Sequence, residues 1–257
     1  MSSIPVDVLQ EILEHVDENE LATLCRVSKI VCSFSQDVLY REIVGGADVI
    51  KTLSQSTDHA KRVRFFCVRH DYPELSTALR NMSSLRNLKL GSIGDDASIL
   101  DGCTFKLDSL DCYFPYSESL QQFLNSQPSL NNLTMWSGHR PLPPFDEMCL
   151  PNLTRIKAVH SWLGILIPGR PVTDVVVLTP WHEKTISLSF FATAPIHSLE
   201  IPYASIYPTS VSLLVPIFPS LTNLTLGTYG LDWSVRRQLT VISVLMKKST
   251  IIDLGGL

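Results

Sequence analysis

One short pattern of apolar residues recurs along most of this chain of 257 residues and constrains its fold more than any other feature. The pattern is apolar-x-x-apolar-x-apolar, and it occurs nine times with first positions 19 to 28 residues apart. The copies begin at Val63, Leu85, Leu107, Leu130, Leu153, Val172, Ile196 and Leu221, and a last, degenerate copy begins at Ser249, which is polar. Such a period predicts units that stack on one another, because a single unit of this size cannot bury its own apolar face.

The form L-x-x-L-x-L at a period of 20–29 residues resembles the leucine-rich repeat. We therefore predict an α/β (α+β) solenoid for residues 45–257, a horseshoe whose parallel sheet lies on the concave face. The asparagine that usually follows the third apolar position of this repeat is absent, and residues such as Gly91, Tyr113, Trp136 and Gly227 stand there instead. The repeats are therefore degenerate.

The segments between the copies predict how the chain returns from one strand to the next. Apolar residues at helical spacing predict helices within 73–82, 117–126 and 208–218. Pro and Gly in 138–151 and 163–171 predict loops or 3₁₀ turns instead.

Both ends of a repeat array expose an apolar face and need a cover. An amphipathic pattern over 233–248, followed by Ile251-Ile252-Asp253-Leu254, predicts a C-terminal cap of one helix and one strand. The segment 47–56 is expected to do the same at the other end and to join the preceding residues without a flexible linker.

Strand alternation assigns the residues at positions three, five and seven of each copy to the predicted concave face. Tyr113 and Trp136 occupy equivalent positions in neighbouring copies, where exposed aromatic side chains can anchor a partner protein. We expect target binding in this region, at Lys89, Asp111, Tyr113, Trp136, Arg155 and Lys157. The alternative interpretation is that the two aromatic rings pack on each other or under the loop 138–144.

Residues 1–44 have a different pattern, with three short amphipathic helices predicted in place of the repeat. Leu9, Ile12 and Leu13 form one apolar stripe after Pro5. Asp17, with Glu20 three residues later, has the spacing of a helix N-cap. A unit this small is near the lower limit of independent stability, so a partner is expected to complete it.

This stretch resembles an F-box, and the chain as a whole resembles fungal F-box proteins with degenerate leucine-rich repeats. The matching motifs are Ile4-Pro5, Leu9 to Leu13, Asp17 to Leu21, Val27-Ser28-Lys29 and Leu39-Tyr40-Arg41, whereas Val31 stands where the family often has Trp or Phe. The resemblance implies docking on the Skp adaptor of cullin–RING ubiquitin ligases. About half of the following family contact positions are expected to face that adaptor: Ile4, Pro5, Leu9, Ile12, Leu13, Leu21, Leu24, Val27, Leu39 and Tyr40.

Composition narrows the remaining possibilities. A net charge of −4 gives no support for nucleic-acid binding. The first residues have no basic segment or apolar core of a secretory signal, and the longest apolar stretch is interrupted by Pro168, Gly169 and Arg170, so no membrane span is expected. The six cysteines form no CxxC pair, which indicates reduced thiols in a cytoplasmic or nuclear protein.

We find no metal-binding, cofactor-binding or catalytic motif, so we expect neither a cofactor nor enzymatic activity. Three hypotheses follow. The chain is the substrate receptor of a Skp–cullin–F-box ubiquitin ligase; or it is an adaptor-bound scaffold outside ubiquitination; or it is a repeat module whose first 44 residues serve only as a cap. Recruitment of a cullin separates the first from the second.

Overall fold

The computed structural model describes residues 5–94, 96–138, 145, 149–178, 194–201, 220–226 and 251–253. It divides into two compact units, Met1–Leu107 and Asp108–Leu257. The division falls within the repeats, whereas the predicted change of structure type at residue 44 coincides with the end of the first strand. That predicted domain boundary stays a prediction.

The first unit begins with three helices, as the sequence predicts. They are α1 (Val6–Glu14), α2 (Glu18–Leu24) and α3 (Lys29–Leu39). The N-cap at Asp17 is confirmed, because its carboxylate accepts a hydrogen bond of 2.9 Å from the backbone N–H of Glu20. Ser28 caps α3 in the same way through the N–H of Val31, at 3.2 Å. These caps satisfy helix N–H groups that have no acceptor within the helix, and they fix where each helix starts.

Three parallel strands and their connections complete the described part of the first unit. In chain order the elements are β1 (Glu42–Val44), α4 (Ala47–Gln55), α5 (Thr57–Ala60), β2 (Phe65–Val68), α6 (Leu75–Asn81), β3 (Asn87–Leu90) and a 3₁₀ turn (Ala97–Leu100). β1 pairs with β2, and β2 pairs with β3. The helix predicted within 73–82 is confirmed as α6, and the expected cap at 47–56 contains α4, which buries Ile50 and Leu53.

The second unit continues the same repeat with parallel strands in chain order. Its described elements are β4 (Ser109–Cys112), α7 (Glu118–Asn125), β5 (Asn132–Met135), β6 (Arg155–Ala158), α8 (His160–Leu166), β7 (Asp174–Val177), β8 (Ser198–Ile201), β9 (Asn223–Leu226) and β10 (Ile251–Asp253). Each of these strands pairs with the next, and equivalent repeat positions lie opposite each other. All nine copies of the pattern therefore form a strand from their third position onward. The helices predicted within 208–218 and 233–248 lie outside the described residues, as does most of the loop predicted over 138–151, of which residues 138, 145 and 149–151 are described.

The connection after β6 differs from the prediction. A loop or 3₁₀ turn was expected over 163–171, but the chain forms α8 and buries Trp162, Leu163 and Leu166. Pro168 and Gly169 follow the helix and end it, with Gly169 at φ +74°, a conformation that favours glycine. They therefore limit the length of the helix without preventing it.

The core of each unit is built from the fourth and sixth positions of the repeat. β2, β4, β5 and β8 alternate between half-buried and buried residues, as strand geometry requires. Each buried Leu, Val or Phe stabilises the fold by roughly 1.5–3 kcal/mol relative to an exposed one. Val176 in β7 is an exception to the predicted exposure, because it is only 6% exposed. The fold class predicted from the sequence, a helical head followed by leucine-rich repeats with parallel strands, is confirmed.

No helix within the described ranges has the length and apolar character that spanning a membrane requires.

Candidate functional site

Large apolar side chains are exposed mainly in the first three helices. Of the seven such residues that are strongly exposed in the described chain, five lie between residues 6 and 30. We call this set the head surface: Val6, Val8, Ile12, Val27 and Ile30, which are 45–66% exposed. Val8 and Ile12 lie one turn apart on α1, so they share one side of that helix. Exposed apolar residues concentrated in one short stretch of the chain indicate a protein-binding region.

The ten predicted adaptor contacts divide into groups by exposure. Pro5, Ile12 and Val27 are exposed; Leu9, Leu24, Leu39 and Tyr40 are half-buried; Leu13 and Leu21 are buried; and Ile4 lies outside the described residues. Leu13 and Leu21 are 1% and 2% exposed, so they form the core of the head and present almost no surface to a partner. The contact predicted for the other positions stays a prediction.

The sequence reasoning did not identify Val6, Val8 and Ile30 as members of the head surface. Val6 and Val8 were not counted in the apolar stripe predicted for α1, although Val8 lies one turn before Ile12. Ile30 belongs to the apolar pattern of α3, one turn before Phe34, and that pattern alone indicates burial. More apolar residues than one buried stripe requires were the available signal. Their exposure leaves apolar area in water unless a second protein covers it.

The end of α3 is held by an ion pair and a stack. Arg41 donates to the carboxylate of Glu14 at 2.8 Å, which ties the chain after α3 to the end of α1. Tyr40 stacks on His59 of α5, with ring centroids 4.4 Å apart and planes at 5°. Tyr40, a predicted adaptor contact, is therefore fixed from one side by the first repeat.

Four predicted target-binding residues lie together in the second unit, where we call them the aromatic cluster: Asp111, Tyr113, Trp136 and Lys157. Tyr113 and Trp136 stack with ring centroids 5.2 Å apart and planes at 3°. The indole Nε1–H of Trp136 donates to Asp111 Oδ1 at 2.7 Å, and Lys157 Nζ lies 5.0 Å from the centre of the Trp136 ring. A hydrogen bond on one edge and a cation on one face leave the indole little freedom to rotate.

The expectation that the two aromatic rings pack on each other is confirmed by this stack. The other interpretation, that the rings anchor a partner, stays a prediction and is compatible with the stack because Tyr113 remains 42% exposed. The rings form one preassembled apolar surface, and a partner would meet it without an ordering cost for either side chain.

The remaining two predicted target contacts have different surroundings. Arg155 is exposed on β6, on the same strand face as Lys157 two residues later, and lies opposite Asp174 in the register with β7. Lys89 belongs to the first unit, where its Nζ lies 5.6 Å from the centre of the Phe65 ring. The described structure thus groups four of the six residues, with Arg155 on the same strand face.

Most of the shifted pKa values are caused by burial of the titratable group and not by a reactive partner beside it. Burial raises the pKa of the Cys112 thiol, on the last residue of β4, to about 12, and burial raises the pKa of Cys103 to about 12 as well. Burial also lowers the pKa of His160 at the start of α8. A thiol with such a raised pKa is a poor nucleophile at neutral pH. No group of three or more His, Cys, Asp or Glu side chains with metal-binding geometry occurs in the described part of the chain.

Comparison with known proteins identifies the head. Residues 1–42 match the F-box domain. The fold and this match define an F-box domain followed by leucine-rich repeats, and the predicted resemblance is confirmed. F-box domains bind the Skp adaptor of Skp–cullin–F-box ubiquitin ligases.

The whole chain was also compared with solved structures and with curated proteins. An internalin (inlF) from Listeria monocytogenes str. 4b F2365 is similar in structure, with a TM-score of 0.42 and 15% identity over 97% of this chain and 88% of that chain. No curated protein matches the sequence at a significant level.

Proposed function

We propose that this chain is the substrate-recognition subunit of a Skp–cullin–F-box ubiquitin ligase. The head surface carries the proposal, because the exposed apolar residues lie inside the F-box domain. Covering Val6, Val8, Ile12, Val27 and Ile30 with an apolar partner would remove their area from water, which is the main driving force of stable association. The Skp adaptor is the partner that an F-box domain binds.

The repeats would hold the target protein. We assign target binding to the strand face around the aromatic cluster, with Arg155 and Lys157 as cationic neighbours. Aromatic and Arg side chains are the residues that most often dominate binding energy at protein interfaces. A target with an apolar group beside carboxylates would complement this surface.

The subunit would act by proximity and would not perform catalysis itself. Binding of adaptor and target to one chain raises the effective concentration of target lysines near the ubiquitin-conjugating enzyme. The head is joined directly to the first repeats: β1 follows α3 with one turn, pairs with β2, and the backbone carbonyl of Arg41 accepts from the N–H groups of Arg64 and Phe65. Such a joint holds the head against the first repeats. We place the protein in the cytoplasm or nucleus, in keeping with its six free cysteines.

Co-expression with the Skp adaptor, followed by size-exclusion chromatography, tests the head. The double variant Ile12→Asp, Val27→Asp changes two exposed residues, so it should fold and lose co-elution. The control Val44→Asp changes a residue that is 72% exposed and lies outside the head surface, and it should retain co-elution. If the wild type, the double variant and the control all co-elute with the adaptor, the assignment of the head surface is refuted.

A second measurement separates the ligase subunit from a scaffold outside ubiquitination. The co-purified chain and adaptor are mixed with a cullin and passed over the same column. A ternary peak supports the ligase proposal, and its absence with an intact binary peak supports the scaffold.

A further inference from the structure

A polar cleft of about 670 Å³ lies in the first unit, between α3 of the head and the segment that leads into β2. Its basic lining residues are Arg41, His59, Lys61, Arg62 and Arg64. We call it the basic cleft. Its volume is within the range of small-molecule sites. No residue of the head surface or the aromatic cluster lines it.

Two buried nitrogen atoms of the basic cleft have no hydrogen-bond partner among the described residues. They are Nδ1 of His59 and Nε of Arg62. The Arg62 Nε–H can only donate, and the imidazole donates from both nitrogens when it is protonated. A buried donor without an acceptor destabilises a fold, so native structures rarely retain one unless a water molecule, an ion or a bound group satisfies it.

The rest of the Arg62 guanidinium and the His59 ring are fixed. Arg62 forms an ion pair with Asp37 and donates from Nη1 to the carbonyl of Ser33 at 3.0 Å. The His59 ring stacks on Tyr40, as described above. These contacts fix the two side chains, and because Nδ1 of His59 and Nε of Arg62 are buried, a ligand in the cleft reaches these two atoms only when the residues that cover them move aside.

The charges around the cleft leave a positive excess. Arg41 and Arg62 are neutralised by Glu14 and Asp37 respectively. Three charged lining residues remain, Lys61 and Arg64 against Asp58, and Lys61 is exposed. The balance is +1 with a neutral His59 and +2 with a protonated one. It favours an anion that has several acceptor oxygens and a charge between −1 and −2.

We propose that the basic cleft binds a phosphate group. A phosphomonoester has three acceptor oxygens and a charge of about −1.5 to −2 at neutral pH, which matches the donors His59, Lys61 and Arg62 and the positive balance. A carboxylate has half that charge and one oxygen fewer. Since the cleft is larger than one phosphate requires, the carrier of the phosphate enters with it. No lining residue of the cleft belongs to the head surface or the aromatic cluster, although His59 stacks on Tyr40, a predicted adaptor contact.

Calorimetric titration of the full chain tests the proposal with two probes. The first is inorganic phosphate, with sodium chloride at matched ionic strength as the reference, and the second is a short peptide with one phosphoserine beside its unphosphorylated form. Wild type should bind phosphate and the phosphopeptide but neither chloride nor the unphosphorylated peptide. Tighter binding of the phosphopeptide would identify a peptide carrier, and equal affinities would identify a free small anion.

Two variants and a control locate the site. His59→Phe keeps a ring to stack on Tyr40 but removes both nitrogens, and Lys61→Gln removes one exposed charge. Each should weaken phosphate binding about tenfold, because a hydrogen bond to a charged group is lost. Lys51→Gln changes an exposed lysine of α4 outside the cleft and should bind as wild type does.

The melting temperature of each variant shows whether weaker phosphate binding results from misfolding. Without phosphate, His59→Phe should melt at the wild-type temperature or above it, because a buried nitrogen without a partner has been removed. The proposal is overturned if phosphate binds no better than chloride, if the unphosphorylated peptide binds equally, or if both variants bind phosphate like wild type. Adaptor co-elution of His59→Phe should be unchanged, so failure here is distinct from failure of the ligase proposal.

Discussion

Ile12 and Leu13 are adjacent on α1, yet substitution of each should affect a different property of the protein. Ile12 is 49% exposed in the head surface, whereas Leu13 is 1% exposed in the core. Both were predicted as adaptor contacts. The pair therefore offers a direct test, because two similar aliphatic side chains differ mainly in which protein covers them.

The expected magnitudes follow from these exposures. About half of the Ile12 side chain is exposed and remains to be buried by a partner. Full burial of such a side chain contributes ~1.5–3 kcal/mol, so burial of the exposed half contributes about 1 kcal/mol. That free energy corresponds to roughly a fivefold change in Kd. Ile12→Ala should therefore bind the Skp adaptor about fivefold more weakly, while its free energy of unfolding changes by less than about 0.5 kcal/mol. Leu13→Ala should lose about 2–5 kcal/mol of stability, because it leaves a cavity in the core.

Urea denaturation of each chain gives the free energy of unfolding, and calorimetric titration with the Skp adaptor gives the affinity. The affinity of Leu13→Ala is compared at a temperature where the variant is fully folded. The reasoning is refuted if Ile12→Ala unfolds as easily as Leu13→Ala, or if Ile12→Ala keeps wild-type affinity while folded Leu13→Ala loses it.

Three further predictions concern the repeats. Arg170 is 4% exposed and its guanidinium donates to the backbone carbonyls of Cys149, Ile165 and Pro168, so Arg170→Met should cost about 3 kcal/mol in urea denaturation. A Cβ on Gly91 would lie 2.9 Å from the Cα of a neighbouring-strand residue, so Gly91→Ala should lower stability by about 1–3 kcal/mol, whereas Gly46→Ala, with open space around it, should not clash. Cys103 and Cys112, whose thiol pKa values are raised to about 12, stay protonated at pH 8 and should resist iodoacetamide until the protein is unfolded; alkylation of either in the native protein, followed by mass spectrometry, would contradict this.

The strands could be predicted because the repeat has a period of two within each copy and a nearly constant length between copies. Both features follow from backbone geometry, which does not depend on the identity of the exposed residues. The caps at Asp17 and Ser28 were equally local, although only the first was predicted. β1 was not predicted, because Glu42–Val44 is too short to show the pattern and is stabilised by pairing with β2.

The details of the surfaces could not be obtained in the same way. A helical stripe identifies Ile12 and Leu13 together, but only the packing of three helices decides which of them is covered. Equivalent repeat positions predicted that Tyr113 and Trp136 are neighbours, yet their parallel rings and the hydrogen bond to Asp111 depend on side-chain rotation. The basic cleft combines residues up to 54 positions apart in sequence, from Gln10 to Arg64, and no local pattern identifies it.

The register of the second unit has a consequence for how binding specificity can change. Fifth positions lie side by side from β4 to β9, where the chain places Asp111, Thr134, Lys157, Val176, Glu200 and Thr225. The copies differ in length, but the added residues lie between strands and leave this row in alignment. An exchange at an exposed fifth position thus leaves the strand register unchanged, so new target preferences can arise, or be engineered, one strand at a time.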